Sequence, residues 1–329
     1  MNVLVTGAAG YIGSHAVRAV TAQGHQVIAL DNLGRGHQEA LSPKVPFVKM
    51  DVHDTQQLVE VLKRHRIDCV MHFAAFALVG ESVEQPLLYY NNNTLGTHSV
   101  LSAMSQTDCR KFVFSSTCST YGEPTTIPIR EDTPQLPVNP YGASKLFSER
   151  MALDLRRSLP GFSCALLRYF NVAGAAADGT LGEHHDPETH LIPAILQAAL
   201  GQRDKLVVFG DDYPTPDGTC IRDYVHVEDL VEAHVLVMQA LEPGDARIYN
   251  LGIGQGLSVK QVIDAARQVV GRPFTVEVGP RRAGDPPELY ADAMKIFNEL
   301  GWRAQRTDIA KTIESAWRWF REHPHRYSE

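Results

Sequence analysis

Tyr141 and Lys145 are the pair of residues in this 329-residue chain whose types and spacing could perform acid–base chemistry. They lie four positions apart in a helical pattern that continues to Leu155, so both project from one helix face. A phenol has a pKa near ~10, and keeping it ionised at neutral pH costs roughly 4 kcal/mol. An ammonium about 4 Å away supplies on the order of 4 kcal/mol at an effective dielectric near 20. Tyr141 is therefore predicted to be a general base towards a substrate hydroxyl, with Lys145 lowering its pKa and Thr117 handing on the hydrogen bond.

Three glycines near the N-terminus form a second pattern with a chemical use. Gly7, Gly10 and Gly13 stand between an apolar run, 3–5, and an Ala/Val-rich helical pattern, 14–21. Glycines let the backbone turn tightly and approach a diphosphate, and the amides that open the following helix face the same ligand. The spacing departs from the commoner G-x-G-x-x-G, so the glycines alone are weak evidence. A diphosphate is expected over residues 10–12.

Asp31 strengthens this interpretation because it ends a second apolar strand, about the expected ~20 residues beyond the glycine turn. A carboxylate there binds the adenosine ribose hydroxyls and disfavours a 2′-phosphate, so NAD is expected over NADP. Arg35 leaves NADP open, since an arginine can accept a 2′-phosphate. Structural alternatives exist for both patterns: a strand–turn–helix unit without a cofactor, and a solvated helix face carrying Tyr141 and Lys145.

Apolar strands alternate with helical patterns through the first half of the chain, with further strands predicted at 47–50, 68–72, 111–114 and from 166 onwards. This alternation predicts a parallel sheet covered by helices on both faces, with ligands at the carboxyl ends of its strands. It weakens after Val172, where a smaller domain is predicted to begin, and the segment 227–252 is expected to return to the first domain. The predicted fold class is α/β, a doubly wound parallel sheet of the Rossmann type with a smaller C-terminal α/β domain.

Composition narrows the possible partners and location. The formal net charge is −7 without a basic stripe, which argues against nucleic acid as the main partner. No apolar run reaches the ~18 residues of a membrane span and no cleavable leader pattern is present, so no membrane contact and a cytoplasmic location are expected. The five cysteines form no Cys-x-x-Cys pair and are predicted to be reduced thiols. His184, His185 and His190 match no helical His-x-x-x-His spacing, so no metal site is predicted.

The first half of the chain resembles the extended short-chain dehydrogenase/reductase family. The resemblance rests on Gly7-x-x-Gly10-x-x-Gly13, Asp31, Ser115-Ser116-Thr117 and Tyr141-x-x-x-Lys145. It implies that Thr117, Tyr141 and Lys145 hold the family's catalytic roles. It also implies an NAD-binding set that consists of Gly7, Gly10, Tyr11, Ile12, Gly13, Asp31, Asn32, Asp51, Val52, Phe73, Ala74, Ala75, Asn92, Ser115, Tyr141, Lys145 and Phe170.

The second half narrows the resemblance to the UDP-sugar 4-epimerases of that family. The most specific run is Asp212-Tyr213-Pro214-Thr215-x-Asp217-Gly218-Thr219, and Arg222-Asp223-Tyr224 and Arg281-Arg282-Ala283-Gly284-Asp285 support it. The resemblance implies a UDP-sugar set that consists of Thr117, Asn171, His190, Leu191, Phe209, Arg222, Tyr224, Arg282, Asp285 and Leu289. Two separated arginines can clamp a diphosphate and a carboxylate can accept from ribose hydroxyls, although both arginines could instead be solvated surface charges.

The resemblance implies that Tyr141 takes the proton of a sugar 4-hydroxyl while tightly bound NAD transiently oxidises C4, which interconverts UDP-glucose and UDP-galactose. UDP-glucuronate or UDP-N-acetylglucosamine epimerisation, a sugar-nucleotide dehydratase and a non-catalytic NAD-binding regulator are the alternatives. Residues 1–171 would then bind NAD, and 172–329 the UDP-sugar. Leu289 matches the family's gate over the sugar 2-substituent. The helices around 87–104 and 140–155 carry surplus apolar residues, and the resemblance pairs such helices in a homodimer.

Overall fold

The computed structural model describes residues 1–282 and 285–327, so Ala283 and Gly284 of the Arg281–Asp285 motif lie outside the described residues. The strands are β1 (Asn2–Thr6), β2 (Gln26–Asp31), β3 (Phe47–Lys49), β4 (Cys69–His72), β5 (Lys111–Thr117), β6 (Ser163–Tyr169), β7 (Asn171–Ala173), β8 (Leu206–Phe209), β9 (Ile221–Arg222), β10 (Tyr224–His226), β11 (Ala246–Leu251), β12 (Leu257–Ser258), β13 (Val276–Gly279) and β14 (Glu288–Leu289). The helices are α1 (Tyr11–Ala22), α2 (Thr55–Arg64), α3 (Val79–Glu84), α4 (Pro86–Tyr89), α5 (Gly96–Ser105), α6 (Pro140–Ser158), α7 (Leu191–Ala199), α8 (Val227–Ala240), α9 (Val259–Val270), α10 (Met294–Leu300) and α11 (Ile309–Glu322).

Seven strands form one parallel sheet in the order β11-β6-β5-β4-β1-β2-β3. The predicted doubly wound parallel sheet is confirmed. Strand β1 lies between β2 and β4, which is where the direction of winding reverses. In such sheets a crevice opens at this point, outside the carboxyl ends of the strands. The sheet therefore positions the ends of β1, β2, β4 and β5 around one crevice.

The sheet is buried because its strands carry apolar side chains on both faces. Val3 and Val5 pack into a core beneath α1 and α8, whereas Leu4 points into a core that contains residues of α2, α5 and α6. The two directions follow from the alternation of side chains along a strand. Each face of the sheet thus has its own helical layer.

The second half of the chain builds a separate apolar core around α7, α9 and α11, with Trp319 and Phe320 fully buried in it. Short two- and three-stranded sheets, β10-β7, β12-β9-β14 and β13-β8, lie outside the main sheet. Strand β11 instead joins the main sheet beside β6, and α8 packs against α1. No helix in 1–282 or 285–327 has the length and apolar character that crossing a membrane requires.

Helix α6 carries Tyr141 and Lys145 and is anchored at two points. Asn139 caps its start, where its side-chain oxygen accepts a hydrogen bond from the Gly142 amide at 2.8 Å. Glu149, two turns further on, accepts from Arg168 of β6 at 2.9 and 2.7 Å, and both side chains are almost fully buried. A bidentate, buried pair of this kind holds the orientation of the helix against the sheet.

Candidate active site

One cavity of about 970 Å³ runs along the carboxyl ends of the sheet strands and continues into the second half of the chain. Its walls include every residue of the NAD-binding set and of the UDP-sugar set named above. Residues that are up to 282 positions apart in sequence therefore meet in one place, as from Gly7 to Leu289. The individual roles of these residues remain predictions.

The glycine turn has the shape of a phosphate-binding loop. Gly7 has a φ of +68°, and a Cβ atom there would lie 2.5 Å from the backbone nitrogen of Ala74. A Cβ atom on Gly13 would lie 1.9 Å from the carbonyl oxygen of Gly7. Side chains are therefore excluded at both positions. Gly10, the N-cap of α1, supplies no capping side chain, so the amides of the first helical turn face the cavity.

Asp31 and Asp51 lie at neighbouring strand ends on one side of this turn. The Asp31 carboxylate accepts from the amides of Ala9 at 3.0 Å and Leu33 at 2.8 Å, while burial raises its pKa. Asn32 donates to Asp51 at 2.9 Å. These contacts hold two carboxylates at the cavity wall, where hydroxyl groups of a nucleoside could donate to them.

Arg35 was the residue for which the sequence allowed a contact with the 2′-phosphate of NADP. In the structure its side chain contacts Glu81 and Phe76 instead. Its guanidinium donates to the Glu81 carboxylate at 2.6 Å and lies 4.0 Å from the centre of the Phe76 ring. The positive charge is therefore already paired with a carboxylate and stacked on an aromatic face.

Thr117, Tyr141 and Lys145 meet where β5 ends and α6 begins. Thr117 is the last residue of β5, and its hydroxyl group is near enough to the Tyr141 phenol to favour the phenol's ionised form. Lys145 donates from Nζ to the carbonyl oxygen of Ser115 at 2.7 Å. All three side chains are buried and line the cavity.

Burial determines the protonation of this group. It raises the pKa of Tyr141 to about 12, because the smaller opposing effect of the Thr117 hydroxyl group does not cancel it. Burial also lowers the pKa of Lys145 to about 7, against the attraction of the Glu149 carboxylate. Lys145 does not lower the phenol's pKa in this structure, because its ammonium is directed to Ser115 and is itself disfavoured by burial. Its predicted effect on Tyr141 stays a prediction for the protein with NAD bound.

The wall contributed by the second half of the chain carries an ion pair and a stacked arginine. Arg222 donates to Asp285 at 2.6 Å and is 9% exposed, which does not fit a solvated surface charge. The Arg282 guanidinium lies 4.3 Å from the centre of the Phe209 ring. Leu289 is buried in β14, in register with Arg222 of β9. It lines the cavity, so the wall places an apolar side chain beside the charged one.

The family model described as the NAD dependent epimerase/dehydratase family matches residues 3–252. The chain belongs to this family. It is 52% identical to the UDP-glucose 4-epimerase of Halalkalibacterium halodurans over 329 residues, which cover 100% of this chain and 98% of that protein.

Two solved structures agree with this assignment. The UDP-glucose 4-epimerase of Brucella ovis in complex with NAD is 46% identical, with a TM-score of 0.91 over 96% of this chain and 97% of that one. The enzyme of Bifidobacterium longum in complex with NAD⁺ and UDP is 39% identical, with a TM-score of 0.94 over 98% and 99%. The resemblance inferred from the sequence is confirmed.

As a member of this family the protein uses NAD, and its cavity fits that cofactor. The Gly7–Gly13 turn offers unhindered backbone amides for a diphosphate, and Asp31 offers a carboxylate for hydroxyl groups. Ala77 lines the same wall.

Sequence reasoning missed two features of the site. The helical stretch predicted around 87–104 contains a π-helical turn, Tyr90–Leu95, which brings Asn92 to the cavity. Asn93 in the same turn accepts from the Phe76 amide at 2.8 Å and donates to Ser144 at 3.0 Å. π-Turns often mark functional sites, but the Asn-Asn-Asn run was the only available signal.

The second missed feature concerns His190, which was predicted to contact the substrate. His190 does line the cavity, yet its Nδ1 atom lies 2.5 Å from the Glu183 carboxylate. His185 and Glu188 complete this group. Helical histidine spacing does not describe this group, because a loop rather than a helix brings the four side chains together. The prediction of no metal site stays a prediction.

Proposed function

We infer that this protein interconverts UDP-glucose and UDP-galactose with NAD that it holds tightly. The main support for this inference is that one cavity joins the glycine turn to Tyr141 and to the wall containing Arg222 and Asp285. The full-length identity to a UDP-glucose 4-epimerase supports the same conclusion. The protein is thus an isomerase of UDP-sugars that needs no second redox substrate.

The proposed cofactor contacts follow the order of the cavity wall. The first-turn amides of α1 would bind the diphosphate, Asp31 the adenosine ribose and Asp51 the adenine side, while Lys145 would hold the second ribose. When bound, NAD supplies the hydride acceptor and donor for C4 of the sugar. The remaining members of the NAD-binding set would form the surrounding contacts.

Tyr141 is proposed to move the proton of the sugar 4-hydroxyl. With a pKa of about 12 the phenol is almost entirely protonated at pH 7, and ionising it there costs about 7 kcal/mol. This cost already includes the favourable effect of the Thr117 hydroxyl group, and a protonated Lys145 beside the phenol would lower it. The proposed roles are therefore Tyr141 as base, Thr117 as hydrogen-bond relay and Lys145 as the cationic neighbour.

The substrate's UDP moiety is proposed to lie on the second half of the chain. Arg222 is buried and already directed by Asp285, so it can meet a diphosphate without reordering a flexible side chain. Arg282 would meet the diphosphate from the Phe209 side. Asn171, His190, Leu191 and Tyr224 would complete the contacts. A dehydratase would need an acid/base pair beside Thr117, where Cys118 and Ser119 stand.

The deciding experiment supplies UDP-galactose to the protein without added NAD and measures UDP-glucose. We expect turnover that persists after free nucleotide is removed by gel filtration, because both hydride transfers use one retained cofactor. Parallel reactions with UDP-glucuronate and UDP-N-acetylglucosamine test the alternative substrates. An NAD-loaded protein that forms no UDP-glucose would overturn the inference.

The two domains are proposed to divide at residue 172, with 227–252 returning to the NAD-binding part. The position of β11 in the main sheet and the packing of α8 on α1 support this division. A cytoplasmic location is proposed because all five cysteines are buried free thiols, which suits a reducing compartment.

A homodimer is proposed from an exposed apolar surface on the helices around α4 and α6. Leu87, Leu95 and Phe147 are 78%, 52% and 50% exposed. The Phe147 ring lies 5.9 Å from that of Tyr90, so the outer faces of the two helical segments adjoin. An apolar patch of this kind is typical of a surface that a second copy covers.

A further inference from the structure

Four metal-binding side chains converge in the loop that leads into α7. Glu183, His185, Glu188 and His190 each offer one atom, and these atoms all lie within 4.8 Å of one another. We call this group the loop cluster. It borders the cavity through Glu183, His185 and His190 but has no part in the proton transfer proposed for Tyr141.

The separations within the loop cluster suit a shared cation. Glu183 Oε1 lies 3.2 Å from His185 Nδ1 and 2.5 Å from His190 Nδ1. The Oε2 atom of Glu188 lies 3.7 Å from His185 Nδ1, and its Oε1 atom lies 3.8 Å from His190 Nδ1. Donor atoms bound to one tetrahedral zinc ion, at bond lengths near ~2.1 Å, stand about 3.4 Å apart. Small side-chain movements would bring all four atoms onto one ion.

Two buried atoms of this group make no hydrogen bond to the residues that the structure describes, although one of them, His185 Nδ1, lies 3.2 Å from Glu183 Oε1. The Glu188 side chain is 2% exposed, and its Oε2 atom makes no hydrogen bond within the described chain, while its Oε1 atom accepts from the His190 amide at 2.8 Å. His185 Nδ1 is likewise buried without a hydrogen bond to any described residue. Arg203 lies beside the loop cluster, but it donates to the Glu188 carbonyl group at 2.6 Å. A buried carboxylate oxygen without a partner is costly, and a bound cation would remove that cost.

We propose that the loop cluster binds one divalent transition-metal ion, with Zn²⁺ as the ion that best suits two imidazoles and two carboxylates. Four protein ligands leave no open position for a substrate, so the site is structural. The ion ties both ends of the 183–190 loop to one point. It thereby fixes His190, the N-cap of α7, and the cavity wall that α7 contributes.

Metal content tests this proposal directly. The full-length protein is stripped with a chelator, incubated with Zn²⁺, desalted and analysed by elemental mass spectrometry. We expect one zinc ion per chain in the wild type and at least ~100-fold weaker binding in Glu188→Gln and in His185→Gln. His184→Gln is the matched control, since His184 lies in the same loop but stacks on His37 at 4.3 Å, outside the loop cluster. It should retain the ion.

Two further readouts separate a metal site from two imidazolium–carboxylate ion pairs. Co²⁺ in place of Zn²⁺ should give the intense visible absorption of tetrahedral coordination in the wild type and in His184→Gln, and not in Glu188→Gln. A chelator should lower the melting temperature of the wild type by several degrees and leave that of Glu188→Gln unchanged. A folded wild type that takes up no stoichiometric zinc would overturn the proposal, as would equal zinc binding by all variants. Because neither readout uses turnover, the result is independent of the epimerase assay.

Discussion

At the scale of single residues, Tyr141 lies at the start of α6 with its hydroxyl group at Thr117, inside a wall that leaves it 9% exposed. The same burial acts oppositely on its neighbour, because it disfavours the anion of a phenol and the cation of an amine. The pair is therefore biased towards two neutral groups until further positive charge or hydrogen bonds reach the phenol. Substitutions at either residue test this balance.

Tyr141→Phe keeps the ring and removes the oxygen that is proposed to move the proton. We expect folding and NAD retention to survive while epimerisation falls by at least ~10²-fold. Tyr249→Phe is the control, because the Tyr249 hydroxyl donates to Glu299 and does not line the cavity. It should keep near-normal turnover. Wild-type rates in Tyr141→Phe would remove Tyr141 from the role of base.

Lys145 should make stability depend on pH. Its pKa is about 7 in the folded protein and about 10.4 in an unfolded chain, so the unfolded state binds more protons between those values. Stability contributed by this site therefore rises as the pH increases from 7 towards 10. The free energy of unfolding should be measured with denaturant on NAD-depleted wild type and Lys145→Met. Across that window, the value for the wild type should rise by up to about 4 kcal/mol relative to the value for Lys145→Met. A difference that does not change with pH would mean that Lys145 stays charged when folded.

Leu289 is expected to limit the substrate by volume alone. It is buried at the cavity wall and offers no hydroxyl group, and an apolar wall discriminates by about 1–3 kcal/mol at most. We predict weak but measurable activity on UDP-N-acetylglucosamine, higher in Leu289→Ser and lower in Leu289→Tyr. The measurement is kcat/KM on both the plain and the N-acetylated substrate. If neither substitution changes the ratio, Leu289 is not the gate.

At the scale of elements, the glycine turn depends on backbone contacts that no side chain could share. Gly13→Ala would drive a Cβ atom against the Gly7 carbonyl group at 1.9 Å, so the first turn of α1 must shift. We expect NAD affinity to fall at least ~10-fold. Misplaced amides need to cost only about 1.4 kcal/mol of binding free energy to produce that change. The measurement is NAD released from the denatured protein. Gly80→Ala in α3 is the control, because its Cβ atom would meet nothing within 4 Å, and it should retain the cofactor.

At the scale of the whole molecule, the exposed surface formed by Leu87, Leu95 and Phe147 predicts association. Light scattering at micromolar concentration should give about twice the chain mass of 36.4 kDa. Phe147→Arg should shift the protein towards monomer, because burying an unpaired guanidinium is costly. Met294→Arg, at an apolar residue of α10 that is 49% exposed, should not. A wild-type monomer would count against the homodimer.

The sequence alone determined the cofactor-binding half of this protein. Gly7, Gly13 and Asp31 were readable because a tight turn and a strand end are local structures, each specified within a few residues. The Tyr141–Lys145 pair was readable for the same reason, since one helical turn relates them. Alternating apolar strands and helices predicted the parallel sheet, because burial on both faces leaves a continuous apolar run in each strand.

Only the tertiary structure decided the burial, the protonation and the neighbours of those residues. The pKa values of Tyr141 and Lys145 reflect burial by distant segments, which acts against the ionised phenol and the protonated amine that their spacing predicted. That prediction stands for the protein with NAD bound. Short strands such as β9 and β14 have too few residues to show a period, and their pairing is what sets Leu289 beside Arg222. The loop cluster likewise exists only once the chain between β7 and α7 is folded. Contacts that are made by loops depend on the whole fold, so no local pattern of residues could have predicted them.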